Sequence, residues 1–537
     1  MKPFRITLFG CILFAVSLTA QSEVTGVVGF VRTERGFVRG QTDGGVDKFL
    51  GIPFAAPPVG ELRWKAPVEP AKWTGVLDAT KLASSCTQLS RGAAGNQRVE
   101  GSEDCLYLNV YRPTRPGIGR PRPVIVFIHG GSNQRGSGAE YDPSEMVAKT
   151  GVVVVTVNYR LNVLGFLAPP SLDAEAGEPT SGNFGFQDQQ AALRWVRSNI
   201  RAFGGDPSNV TVEGESAGGI DICAHLVAPS SAGLFDKAII ESSYCPASSH
   251  DDALAVSAPV AEALSCSDAD CLRSKAAEEL IKAVPLSPVP GGGKGFNAIP
   301  NFGNSLLPVL PAEALSSGQW NKMPVLMGSN HDEMALFAGP MLLAAKVPMP
   351  MTAQTYQVIV AAQFGPFAPQ VLKEYPVANF PSPLLAYSDV LTDYSPLGCA
   401  VTPMALSFAG HAMVFRYEFN DQAAPFGRAG LVSGLSLGAY HGAELQYLFK
   451  MTRLPGPATE AQKQLSDQMI RYWTNFAKTG DPNGEGLTYW PVYDGDARQM
   501  MSLHPDGNAV LTNFDVDHHC AFWAAAPGPP FQHATKP

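Results

Sequence analysis

Residues 209–226 constrain this chain more than any other stretch. Asn209-Val210-Thr211-Val212-Glu213 is short and β-branched, the pattern of a buried strand. Gly214-Glu215-Ser216-Ala217-Gly218 follows, and residues 217–226 can open and continue a helix. A G-x-S-x-G turn between a strand and a helix is a nucleophile elbow, which lifts a serine hydroxyl above the end of a sheet. Small neighbours permit the tight turn, and the helix N-terminus behind Ser216 favours negative charge. The pentapeptide alone arises by chance in any glycine-rich chain; its place between strand and helix gives it weight.

A second motif lies upstream. Pro123-Val124-Ile125-Val126-Phe127-Ile128 reads as a fully buried strand, and His129-Gly130-Gly131 ends it. Such a loop offers backbone N–H donors to an oxyanion, with one more from the residue after the serine, here Ala217. Two glycines after a strand are usually only a turn; their conjunction with Ser216 favours a catalytic reading.

The 537 residues are 45% hydrophobic and 16% charged, enough for a substantial core and unlike a disordered chain. A net charge of −9 with no dense basic cluster leaves no footprint for nucleic acid or an anionic membrane. Residues 1–20 read as a secretory signal peptide: Lys2 and Arg5, then an apolar stretch from Ile6 to Leu18, with cleavage after Ala20. A lipoprotein site at Cys11 is the weaker alternative, since the apolar stretch runs past it. No later segment is apolar for the roughly 18 residues of a membrane span, so the mature chain is expected to be soluble, and secreted or periplasmic. Of nine cysteines, eight follow the leader and can pair in an oxidising compartment. Cys266 and Cys271, with no histidine nearby, do not resemble a zinc site.

Longer motifs point to a family. Phe49-Leu50-Gly51-Ile52-Pro53-Phe54-Ala55, Pro57-Pro58-Val59-Gly60, Leu62-Arg63-Trp64 and Glu103-Asp104-Cys105-Leu106-Tyr107-Leu108-Asn109-Val110 resemble signatures of the type-B carboxylesterases. Asn158-Tyr159-Arg160, Gly182-Asn183, Asp188-Gln189 and Phe203-Gly204-Gly205-Asp206-Pro207 lead into the elbow as in that family, over roughly residues 25–525. The resemblance implies an α/β-hydrolase fold: a mostly parallel central sheet flanked by helices, with large insertions over the active site. Alternating apolar strands and helical patterns agree. We expect one catalytic domain over 21–537, cap-like segments at about 245–320 and 335–430, and a frayed tail from about 526.

The resemblance also implies a triad. Glu333, in Asn330-His331-Asp332-Glu333, matches the family acid, although by chemistry alone Asp332 serves equally. His441, in His441-Gly442-Ala443-Glu444, matches the base; His411 and His331 lack that following pattern, and His129 is expected to shape the oxyanion loop. The oxyanion hole would comprise Gly130, Gly131, Ser132 and Ala217. Ser132 departs from the family's third glycine, at a cost of about 1 kcal/mol if the position is left-handed. Glu215 and Ser242 match residues around the triad, with a structural role equally open. The family's disulfides carry over as Cys86–Cys105, Cys266–Cys271 and Cys399–Cys520, leaving Cys223 and Cys245 either paired or free.

The implied activity is hydrolysis of carboxylic esters without metal or organic cofactor, by a monomer acting on a small-molecule ester. Residues 87–104 contain no aromatic to stack on choline, which disfavours quaternary-ammonium esters. The apolar run Met334–Met351 offers acyl-pocket candidates, most of them expected in the core. Short to medium acyl chains are expected, with a specialised esterase for one bulky ester, such as a mycotoxin or carbamate, as the alternative. A non-catalytic binding module on the same fold is disfavoured because Ser216, Glu333 and His441 all stand.

Overall fold

The computed structural model describes residues 26–27 and 29–527, except 92–96, 115–119, 285–295 and 427–436. The leader and residues 528–537 lie outside the described residues. Twelve strands of the described residues form one sheet: β1 (Gly26–Val27), β2 (Gln41–Asp43), β3 (Val46–Pro53), β4 (Tyr107–Pro113), β5 (Arg122–Ile128), β6 (Val153–Val157), β7 (Gly205–Glu215), β8 (Lys237–Glu241), β9 (Val325–Asn330), β10 (Val414–Phe419), β11 (Met500–Leu503) and β12 (Ala509–Leu511). The spatial order is β1-β2-β3-β4-β6-β5-β7-β8-β9-β10-β11-β12. Strands β6 to β11 across the centre run parallel, and antiparallel strands finish both margins.

Strand β5 shows why the centre is parallel. Val124, Val126 and Ile128 enter the core on one face, Ile125 and Phe127 on the other, and all five are inaccessible to solvent. A strand covered on both faces needs an unbroken apolar run, which helices on each side then bury. On the first face lie α1 (Phe184–Asn199) and α2 (Ala217–Val227), with Phe186, Leu193, Val196 and Ile222 in the same cluster. The other face is covered by the helix Glu460–Thr479 through Leu465, Met469, Trp473 and Phe476.

Two groups of helices build clusters of their own. α3 (His250–Ala263) and the short helices after it pack near Leu164 and Phe166. α4 (Ala335–Ala344), α5 (Ala353–Phe364) and α6 (Pro383–Tyr394) gather around Trp523. Four disulfides pair Cys86 with Cys105, Cys223 with Cys245, Cys266 with Cys271, and Cys399 with Cys520. The pair that the sequence left open, Cys223 and Cys245, thus ties α2 to the segment after β8. Among the described residues no helix is long and apolar enough to cross a membrane.

Candidate active site

Ser216 stands between β7 and α2 with φ 56° and ψ −121°, a conformation a side-chain-bearing residue adopts only under constraint. The constraint is visible: its N–H donates to Glu241 O (3.0 Å), and Ser243 Oγ donates to Ser216 O (2.8 Å). Two residues on, a Cβ at Gly218 would lie 2.0 Å from Ile128 O. α2 can therefore cross the end of β5 this closely only with glycine there.

That contact brings the His129-Gly130-Gly131 loop beside the elbow. Gly131 has φ +100°, and a Cβ there would lie 2.2 Å from Arg135 O. Ser132 and Asn133 also sit in the left-handed region, at φ 60° and 53°. The backbone at the departure from the family pattern is therefore one that glycine would adopt more cheaply. Asn133 is held by its side chain: Nδ2 donates to Asp221 Oδ1 (3.0 Å), and the Tyr159 hydroxyl reaches Asn133 Oδ1 (2.8 Å) and His129 O (2.7 Å). Burial pushes the Asp221 carboxyl up to about 7 despite its Gln189 and Asn133 partners. His129 stacks on Tyr159 and bonds through Nδ1 to Gly130 O at 2.8 Å, and burial lowers its pKa to about 4. It is a neutral, fully enclosed part of the loop.

Glu333 is fully buried after β9. Its Oε1 accepts the N–H of Asn330 (2.8 Å), and its Oε2 lies 2.6 Å from His441 Nδ1. Asp332 faces elsewhere: its Oδ2 accepts from Ala439 N and Gln422 Nε2, both at 2.8 Å, and its Oδ1 lies 3.1 Å from His331 Nδ1. With Asp332 N donating to Ala439 O (3.0 Å), that side chain anchors the loop carrying His441. His411 is bonded at Nε2 to Ser316 O (3.2 Å), away from this centre.

His441 Nε2 lies 3.1 Å from Glu215 Oε1. Ser216, His441, Ser132, Ala217 and Ser242 all line one cavity of about 100 Å³. No hydrogen bond between Ser216 Oγ and His441 occurs among the described residues; apo sites often close such contacts only when substrate is bound. Burial disfavours charge on His441, but the Glu215 and Glu333 carboxylates outweigh it and raise its pKa to about 9. Burial raises Glu215 to about 7 and Glu444 to about 8.

The rest of the wall mixes apolar Ile220, Ile299, Met334, Phe337, Pro396 and Leu397 with polar Ser243, Tyr244, Asn297 and Ser395, most of them from far along the chain. From the apolar run 334–351, Met334 and Phe337 reach the cavity, while Leu342 and Met351 belong to the cluster around Trp523. Sequence reading passed over Glu444 as a site residue, although the pattern that marked His441 contains it. Its Oε1 accepts from Ser242 Oγ (3.2 Å), and its Oε2 from Asn330 Nδ2. It also passed over Glu213 and Glu241, buried on β7 and β8 beside Glu215; Glu213 has no hydrogen-bond partner at either oxygen among the described residues, and burial raises its pKa to about 8.

Residues 28–523 match the carboxylesterase family. The chain belongs to that family. It is 35% identical over 510 residues to the para-nitrobenzyl esterase of Bacillus subtilis (strain 168), covering 90% of this chain and 96% of that one. It is 36% identical over 521 residues to a cocaine esterase of Oryctolagus cuniculus, covering 88% and 92%. A solved PNB esterase superimposes with a TM-score of 0.73 at 34% identity, over 91% of this chain and 98% of that one. These likenesses give this carboxylesterase an α/β-hydrolase fold and a carboxylic-ester hydrolase activity.

Proposed function

We propose that this chain is a secreted or periplasmic serine carboxylesterase in which Ser216 is the nucleophile, His441 the general base and Glu333 the orienting acid. The observation that carries this reading is the 2.6 Å contact of Glu333 with His441 Nδ1, in a histidine that lines the same cavity as Ser216. His441 takes the Ser216 hydroxyl proton as Oγ adds to the ester carbonyl; Glu333 fixes the tautomer and stabilises the imidazolium. Backbone N–H groups of Gly131, Ser132 and Ala217 hold the oxyanion, with Gly130 packed behind them against Glu215 and Ser216. His441 then protonates the leaving alcohol, and water repeats the cycle on the acyl-enzyme. Glu215 and Ser242 set the field and the packing around the base.

A cavity of about 100 Å³ falls below the roughly 300–1,000 Å³ of sites for drug-sized ligands. That favours esters whose acyl part is short to medium. The names of the para-nitrobenzyl and cocaine esterase relatives favour a second reading, in which a bulky group occupies the open side of the cavity. Four disulfides and the leader pattern support an extracytoplasmic location.

Hydrolysis of p-nitrophenyl esters of increasing acyl length, beside Ser216→Ala, tests the reading. Activity that peaks at short or medium chains and is lost in the variant is expected. Full activity in Ser216→Ala would remove Ser216 from the mechanism, and an optimum confined to bulky esters would select the second reading.

A further inference from the structure

We propose that the Ser132 side chain is itself a catalytic hydrogen-bond donor, its hydroxyl binding the oxyanion alongside the backbone N–H groups. This rests on the reading of Ser216 as nucleophile and assigns a new role to the loop beside it.

Three observations converge on Ser132. Its φ of 60° places a side-chain-bearing residue where glycine is the unstrained choice. Such strain costs about 1–3 kcal/mol and persists only where the surroundings over-determine it. The surroundings here do so: Gly131 O accepts from Gln134 N (3.1 Å) and Arg135 N (3.2 Å), and Asn133 O accepts from Asn162 N (2.7 Å). With Asn133 also tied through its side chain to Asp221 and Tyr159, the loop is pinned on both sides of Ser132. Ser132 also lines the cavity together with Ser216 and Ala217. Finally, its hydroxyl belongs to no hydrogen bond among the described residues, whereas the neighbouring cavity serines Ser242 and Ser243 both donate to protein acceptors. A rigidly held residue whose hydroxyl has its donor capacity unused therefore lines the space where the ester reacts.

The chemistry makes that donor selective for the transition state. A neutral ester carbonyl is a weak acceptor. As Ser216 Oγ adds, the π pair moves onto oxygen and creates an anion, to which an O–H donor binds far more strongly. Ser132 keeps its proton throughout, so nothing is transferred and the cycle closes unchanged. A hydroxyl acting only as a wall would instead govern which substrates fit, through KM.

Ser132→Gly and Ser132→Ala separate the two roles. Gly removes both hydroxyl and strain; Ala removes the hydroxyl and keeps the Cβ. kcat on p-nitrophenyl butyrate, counted per site titratable with a fluorophosphonate, is expected to fall in both variants. The expected loss is about 10- to 100-fold, below the 10²–10³ of a principal donor, with KM within about twofold. The inhibition constant for an aliphatic trifluoromethyl ketone, whose adduct carries the oxyanion, should rise in parallel, while the melting temperature of Ser132→Gly equals or exceeds that of the parent. A Ser132→Gly enzyme with undiminished kcat and unchanged ketone affinity would overturn the proposal. If Ser216→Ala is inactive in the same assay, that result leaves the nucleophile reading intact; if Ser216→Ala is active, the failure belongs to the nucleophile instead.

Discussion

Among the described residues two histidines are each buried between two carboxylates, and of the two His441 lines the cavity of Ser216. His441 Nδ1 lies 2.6 Å from Glu333, and its Nε2 lies 3.1 Å from Glu215. His518 Nδ1 lies 2.6 Å from Asp393, and its Nε2 lies 2.8 Å from Glu418. Burial works against charge in both, and in both the flanking carboxylates outweigh it and raise the pKa. The difference lies in what surrounds each ring. His441 opens onto the cavity of Ser216 and Ser132. His518 is sealed: Asp393 comes from α6, Glu418 from β10, and the Phe514 ring lies 4.3 Å away. Its neighbour Cys520 is bonded to Cys399, and the Tyr375 hydroxyl donates to the other Asp393 oxygen (2.7 Å). A carboxylate–histidine pair is thus a motif of charge pairing, which becomes catalytic only with a nucleophile and access. The same pair in the interior fastens α6 to β10.

Substitution breaks this comparison in a definite order. His441→Ala should lower kcat on p-nitrophenyl butyrate by about 10⁶-fold, as loss of a triad base does elsewhere, while thermal unfolding shows a folded protein. His518→Gln should do the reverse. Removing one partner of a buried charge pair costs about 3–5 kcal/mol, read as a lower melting temperature, with kcat per folded site unchanged. The sign with pH follows from the raised pKa of His518. Its contribution to stability is complete below the unfolded value of about 6.5 and is lost as pH rises through the higher folded value. The gap in melting temperature between parent and His518→Gln should therefore narrow in alkali.

The smallest effect sharpens the account of His441. The base must be neutral to accept a proton, so a pKa raised to about 9 puts the acid limb of kcat/KM above the ordinary histidine range. Glu215 raises it through its charge, beside Glu333, which acts through both charge and a hydrogen bond. Glu215→Gln should move that limb to lower pH, measurable in a full pH–rate profile; an unmoved limb would detach Glu215 from the base.

Much of this was legible in the sequence, because the elements that carry the chemistry are local. The strand–turn–helix around Ser216 announces itself in under twenty residues, and β5 in a single apolar run. Chemistry alone could not separate Glu333 from Asp332; in the fold Asp332 turns toward Ala439 and Glu333 toward His441. The cavity wall was less readable. Ile299, Pro396 and Leu397 lie on irregular segments whose composition carries no signal, and only tertiary folding brings them to Ser216. His518 escaped notice for the same reason: Asp393 and Glu418 are a hundred or more residues from it in sequence. The pairing of Cys223 with Cys245 likewise needed the geometry of α2 against the end of β8.

The central claim is that Ser216, served by His441, is the nucleophile that attacks the ester carbonyl and takes up the acyl group. Labelling the intact protein with an alkyl fluorophosphonate and mapping the adduct by peptide mass spectrometry tests it most directly. The account predicts one adduct per chain, on the peptide containing Ser216, formed more slowly by orders of magnitude in His441→Ala. An adduct on another residue, or labelling of Ser216 at the parent rate without His441, would contradict it.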